Sequence, residues 1–272
     1  MSDTTKQTDG DQGTDGGGLR LIAVAVGNTR HRIGRFEDGA LSLAGSVPSG
    51  DDRALADALG ERLSEGPAAL VYSSVSEENE ARLVRAAGDR FAGVYRVGRD
   101  LPIPITHNLL DETTVGHDRL LCALAAYQRA QSACLVVDAG TAVTIDFVDG
   151  TGGFQGGAIM PGLAMMLAAL HDGTSQLPAL EPGRPAREDT PWGRDTADAM
   201  RVGVRAAVIG GVRLLLERYA DAFGGYPRVI ATGGDAASLF DGDEVVEHIV
   251  PDLQLMGIEA ACREALDLDQ DA

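Results

Sequence analysis

The sequence is poor in aromatics, in cysteine and in basic residues, and each shortage narrows what the chain can be. Aromatic side chains make up 4% of its 272 residues. No run of about eighteen apolar residues occurs, so a membrane-spanning helix is not expected. The N-terminus is polar and acidic instead of basic and then apolar, which speaks against a secretory signal and for a cytoplasmic protein. Cys122, Cys134 and Cys262 are unevenly spaced in apolar stretches, the pattern of buried structural thiols and not of metal ligands or a disulfide framework. Lys and Arg number 23 against 41 Asp and Glu, a net charge of -18 without a basic patch, which argues against a nucleic-acid partner. The same acidity repels anions, so any phosphate site has to be built locally from backbone amides and a few cations. Apolar residues, by contrast, reach 44%, enough for one large core or two joined smaller ones.

Residues 1–18 hold almost no apolar side chain and are rich in Gly, Asp and Thr, so they read as a disordered acidic tail. From Leu19 an apolar run meets the polar turn Gly27-Asn28-Thr29, a second strand, a Glu-Asp-Gly turn and a third strand. A helix over 51–64, a strand over 68–73, a helix over 77–88 and a strand over 93–97 follow, an alternation that favours a largely parallel sheet. The helical spacing over 115–130 forms a bridge to a second strand–turn–strand unit, 133–138 and 143–148 around Gly140-Thr141, with a glycine-rich return over 152–159. Helices over 160–170, 196–219 and 253–266 and a strand over 228–232 complete the chain. Two places where a buried strand meets a small polar turn suggest a duplicated architecture with ligand held between the copies.

Three constellations carry chemistry. Glycine lets backbone amides approach phosphate oxygens, and Asn28, Thr29 and Thr141 add neutral donors, so the paired turns read as a phosphate cradle. In Gly116-His117-Asp118-Arg119 a carboxylate that can accept a hydroxyl proton adjoins a fork-shaped donor suited to a substrate carboxylate. That segment alone reads equally as a helix cap with a surface ion pair, and His117 reads as exposed filler. The runs Gly156–Gly162 and Ala231–Gly234 pack glycines at turns where backbone must come near a base or a phosphate.

Taken in order, GNT at 27–29, GHDR at 116–119, VVDAGTAVTID at 136–146, GGAIMPGL at 156–163, Gln176-Leu177-Pro178, WGRDTADAMRVG at 192–203 and VIATGG at 229–234 resemble type III pantothenate kinase over nearly the whole folded chain. The resemblance implies an α/β fold of the actin and sugar-kinase superfamily. Two duplicated ribonuclease-H-like domains, 19–116 and 117–272, would clasp ATP in an interdomain cleft. It also implies formation of 4'-phosphopantothenate, the first step of coenzyme A synthesis. Asp118 would be the general base, with Gly116, His117, Arg119 and Thr196 binding pantothenate. Gly27, Asn28, Thr29, Arg30, Arg32 and Thr141 would contact ATP, and Asp138 would hold a monovalent cation, K+ or NH4+, beside the Mg2+ that accompanies the nucleotide. A homodimer is expected, and the helix over 196–219 reads both as a dimer surface and as a core-facing helix.

Some positions depart from that family pattern. The usual Asp two residues before the first glycine is Ala25, which cannot bind metal. Ala139 replaces a Phe, and His107 and Leu109 lie where an aromatic substrate contact is usual. Ala25 leaves open a second reading, a weak or inactive member acting as a ligand-binding regulatory protein, and a third, another small-molecule kinase or ATPase of the superfamily.

Overall fold

The computed structural model describes residues 20–63, 68–181, 183 and 190–270, the last four as backbone only. The tail expected over 1–18 and the last residue of the helix expected over 51–64 lie outside the described residues. The elements in chain order are β1 (Arg20–Val26), β2 (Arg30–Glu37), β3 (Ala40–Pro48), α1 (Asp52–Arg62), β4 (Ala69–Ser74), α2 (Glu77–Ala87), β5 (Gly93–Arg96) and α3 (His117–Ala130). Then come β6 (Cys134–Ala139), β7 (Ala142–Val148), β8 (Phe154–Pro161), α4 (Leu163–Asp172), α5 (Thr196–Phe223), β9 (Arg228–Thr232), α6 (Ala236–Phe240), β10 (His248–Ile249) and α7 (Leu253–Gln270).

Two five-stranded sheets share one plan. The first runs β3-β2-β1-β4-β5 and the second β8-β7-β6-β9-β10. In each, three consecutive strands pair antiparallel, a fourth pairs in parallel with the first of the three, and a fifth pairs in parallel with the fourth. Both central strands, β1 and β6, are covered on two faces, which is why their sequences read as near-continuous apolar runs instead of alternating.

Side-chain caps set several helix starts: Asp51 accepts from the Ala54 amide at 2.9 Å, and Asp195 from the Asp198 amide at 2.8 Å. The first turn of α3 is different, because Gly116 caps it without a side chain, and the helix expected from 115 begins at His117, Val115 closing a 3-10 turn at Glu112–Thr114. Helix α4 begins at Leu163 and not at 160, since β8 runs on until Met160 pairs with Val143 and Pro161 with Ala142. Helix α5 buries one row, Val204, Val208, Val212, Leu216 and Ala220, at a spacing of four residues: Val208, Val212 and Leu216 share a core with Val143 and Ile145 of β7, and Val204 packs with Leu167 of α4.

The two units are joined by α3 and α7. Leu121 and Leu124 of α3 share a core with Leu255 and Ile258 of α7 and with Leu21, Ala23 and Val71 of the first sheet. On its other side, α3 places Leu120, Cys122 and Ala123 against Cys134 and Val136 of the second. A side chain at Gly257 would put its Cβ 2.1 Å from the Leu121 carbonyl oxygen, so only glycine allows this approach of the two helices. The last helix therefore returns to the first unit, while the boundary expected at 116/117 coincides with the cap of α3. All three cysteines are buried free thiols. Among the described residues no helix is long and apolar enough to cross a membrane.

Candidate active site

The site is assembled where the two hairpin turns face each other. At the end of β1 the Gly27 amide donates to the Arg30 carbonyl at 3.1 Å, closing a tight turn. Asn79 of α2 steadies it from beneath, its Nδ2 donating to the carbonyls of Gly27 at 2.9 Å and Asn28 at 3.3 Å, while Ser49 Oγ donates to Asn28 O at 2.8 Å. The carbonyls are thus satisfied, and the amides of Asn28 and Thr29 donate to no atom of the described residues. The second turn repeats the device: Gly140 N donates to Ala142 O at 3.0 Å, Thr141 O accepts from Gly162 N at 3.1 Å, and the Thr141 amide is left over. Thr29 Oγ1 and Thr141 Oγ1 lie 3.4 Å apart, so turns more than a hundred residues apart in sequence meet across one cleft.

Glycines shape the walls. Gly162 and Gly233 leave room for the second turn, since a Cβ would lie 2.1 Å from Gly140 O at the first and 2.3 Å from Ala139 O at the second. Gly233, at φ +93°, also faces Asp138, whose Oδ1 would be 2.5 Å from such a Cβ. The Gly233 end of the VIATGG motif thus packs directly against Asp138.

Asp118 and Arg119 stand on the first turn of α3. Asp118 Oδ1 accepts from the Arg119 amide at 2.9 Å, and Gly116 leaves space for it. The Arg119 guanidinium turns away from Asp118 to Asp146 of β7, Nε reaching Oδ1 at 3.0 Å and Oδ2 at 3.2 Å while Nη2 bonds Oδ1, and it lies 5.6 Å from the Phe154 ring centre. The surface pair envisaged from sequence is instead a buried one, with 1% of the Asp146 side chain exposed. Burial pushes Asp138 up to about 6, with the charges of Asp118 and Asp146 adding to the effect. Burial also raises Asp146, against the pull of Arg119. Three carboxylates and one guanidinium therefore sit close together on the floor of the cleft and leave it net negative.

The structure brings together Gly27, Asn28, Thr29, Thr141, Asp138, Gly116, Asp118 and Arg119 of the residues expected from sequence. His117 is half-buried rather than exposed filler, its ring packed where Gly98, at φ +85°, has no Cβ. Arg32 bends to Asp252, Nε to Oδ1 at 2.6 Å, and Arg30 Nε donates to Ser46 Oγ at 2.8 Å. Thr196 opens α5 on an exposed surface, and no hydrogen bond among the described residues ties it to Asp118 or Arg119. His107 pairs with Glu112 at 3.0 Å. Ala25 is buried in the joint core, directly opposite Arg32 in the β1–β2 register. Sequence reasoning missed Asn79 and Asp252, and did not see Asp146 as the partner of Arg119. Only Asp146 carried a signal, a carboxylate inside the apolar strand Val143–Val148.

A groove of about 700 Å³, lined by Phe147, Gln155, Gly157, Tyr219 and Phe223 among others, opens on the second sheet. Gly157 connects it to the cleft floor, for a Cβ there would lie 2.5 Å from Asp146 Oδ1.

Comparison with known proteins places this arrangement. The family model for type III pantothenate kinase matches residues 21–218. A type III pantothenate kinase of Rhodopirellula baltica is 44% identical over 175 residues, 62% of each chain, so that alignment spans less than two thirds of the relative. One of Dehalococcoides mccartyi is 32% identical over 258 residues, 88% of this chain and 95% of the relative. Among solved structures, a conserved Baf family protein of Campylobacter jejuni matches 91% of this chain and 100% of its own with a TM-score of 0.59 at 19% identity. An archaeal actin homolog matches 90% of this chain and 100% of its own with 0.53 at 12%. The fold is thus the two-unit α/β fold of actin-like proteins, and the chain belongs to the type III pantothenate kinase family.

Proposed function

We propose that the chain transfers the terminal phosphate of ATP to the hydroxyl of pantothenate, giving 4'-phosphopantothenate for coenzyme A synthesis, with Asp118 as general base. Family membership supports the reaction. The observation that carries the assignment to residues is the meeting of the two turns at 3.4 Å, with Asp138, next to the second of them, close enough to Asp118 to feel its charge. Phosphoryl transfer asks a protein mainly to position the reactants and offset charge on the phosphate oxygens. The unpaired amides of Asn28, Thr29 and Thr141, with the two threonine hydroxyls, receive the phosphates. Gly27 lets the chain come close, and Arg30 and Arg32 flank the first turn. Asp118 accepts the proton of the attacking hydroxyl, oriented by the Arg119 amide. Gly116, His117, Arg119 and Thr196 bind pantothenate, and the groove beside Gly157 is the space for its body.

The divalent ion, when bound, offsets charge on the transferring phosphate. Among the described residues no cluster of three His, Cys, Asp or Glu forms a metal cage. Mg2+ would arrive on the nucleotide with most of its water and be met by a carboxylate and the phosphates. Asp138, crowded by two other carboxylates, would hold a monovalent cation such as K+ or NH4+. A homodimer is part of the same reading, supported by the exposed Leu214 and Phe223 on α5. The regulatory reading suggested by Ala25 gains no support, since base, guanidinium and both turns are retained around one cleft.

An ADP-release assay with pantothenate, ATP, magnesium and potassium tests the reaction. ADP formed only when pantothenate is present is the expected result, and equal release without it would overturn the substrate. Asp118→Asn is expected to abolish turnover while leaving thermal unfolding unchanged. Retention of more than about a tenth of the activity would remove Asp118 from the role of base.

A further inference from the structure

We infer that Asp146 is a positioning residue for substrate selection, acting through Arg119 and touching neither substrate nor nucleotide. Three observations converge. Asp146 takes both Nε and Nη2 of Arg119, which fixes the plane of the guanidinium. Nη1 makes no hydrogen bond among the described residues and is not among the buried unpartnered atoms, so it is the donor left facing solvent. The surroundings are built for the pair and for nothing larger: Gly157 leaves the space that Asp146 Oδ1 fills, and Phe154 covers the guanidinium face at 5.6 Å.

A free arginine would offer a whole fork and a full positive charge to any anion in the cleft, ATP included. Paired with Asp146, Arg119 offers one edge in a fixed direction and little net charge. It then cannot compete for the triphosphate, and it holds a polar group of the acceptor at one distance from the neighbouring base, Asp118. The buried carboxylate thus makes the site selective for the acceptor while leaving the nucleotide to the glycine turns.

This role rests on the pantothenate kinase reading, and one double-mutant cycle separates the two. Arg119→Ala, Asp146→Asn and the double variant are compared with the parent for kcat and for KM of each substrate. Asp146→Asn is expected to lower kcat/KM for pantothenate roughly 30-fold with KM for ATP within about twofold, and to cost less than about threefold when added to Arg119→Ala. A merely structural carboxylate would instead lower the rate by the same factor in both backgrounds and raise both KM values. Equal factors, or full activity of Asp146→Asn, would overturn the inference. Should Asp146→Asn fail to fold because Arg119 is left unpaired, Arg119→Ala, whose buried Asp146 carboxyl can take up a proton, and the double variant, which buries no charge at either position, still decide it: rates within about threefold support the role, and a larger further loss overturns it. A parent protein without pantothenate turnover would remove the function and this role together, whereas turnover with additive losses would remove the role alone.

Discussion

Ala25 and His31 show how much single side chains on the first hairpin decide. Ala25 faces Arg32 across the β1–β2 ladder and adjoins Ser73 of β4, whose buried hydroxyl has no hydrogen-bond partner among the described residues. A carboxylate at 25 would find both donors in reach, with Arg32 released from Asp252. Ala25→Asp is therefore expected to raise activity or lower the magnesium concentration needed for half-maximal rate, as read from magnesium titrations of the assay. No change in either would mean that another carboxylate already performs that task. His31 is fully buried, and burial lowers its affinity for protons. An imidazole held below its ordinary value near 6.5 is protonated first in the unfolded chain, so its contribution to stability is intact above about 6.5 and falls as pH drops below that. His31→Leu is expected to flatten the loss of thermal stability between pH 7 and 5. Because Asp138 titrates alike in both proteins, the difference between their curves isolates His31, and parallel curves would contradict the assignment.

At the scale of elements, the turns were legible and the joints were not. Gly27-Asn28-Thr29 and Gly140-Thr141 announce themselves because glycine and small polar residues interrupt apolar strands. The β-strand nature of Met160 and Pro161 was marked by Pro161-Gly162, a breaker just before α4, but the apolar residues on both sides of it drew the expected helix start back to 160. Helix α7 shows the same limit on a larger scale: its apolar face is visible in the sequence, but not which sheet receives it. The clue was Gly257, a glycine inside a helix, which marks the crossing with α3. Gly257→Val is expected to lower the melting temperature by several degrees, since backbone of α3 has to move and over-packing of this kind costs about 1–3 kcal/mol. An unchanged melting temperature would mean that α3 and α7 are not the joint between the units.

For the molecule as a whole, duplication supplies, in a chain with a net charge of -18, the pair of turns that the proposed function assigns to a triphosphate. Each unit contributes one strand–turn–strand device, and the first turn of α3 carries Asp118, whose charge reaches Asp138 next to the second turn. The repeat was readable from the order of strands and turns. The Arg119–Asp146 pair was not, because it depends on how α3 lies across β7, a packing that no local pattern encodes. The measurement that tests this most directly is hydrogen–deuterium exchange at the amides of residues 27–29 and 140–141, with and without magnesium–ATP. The expected result is that both segments slow together when the nucleotide is added. Slowing at one segment with the other unchanged would contradict a triphosphate gripped by both turns.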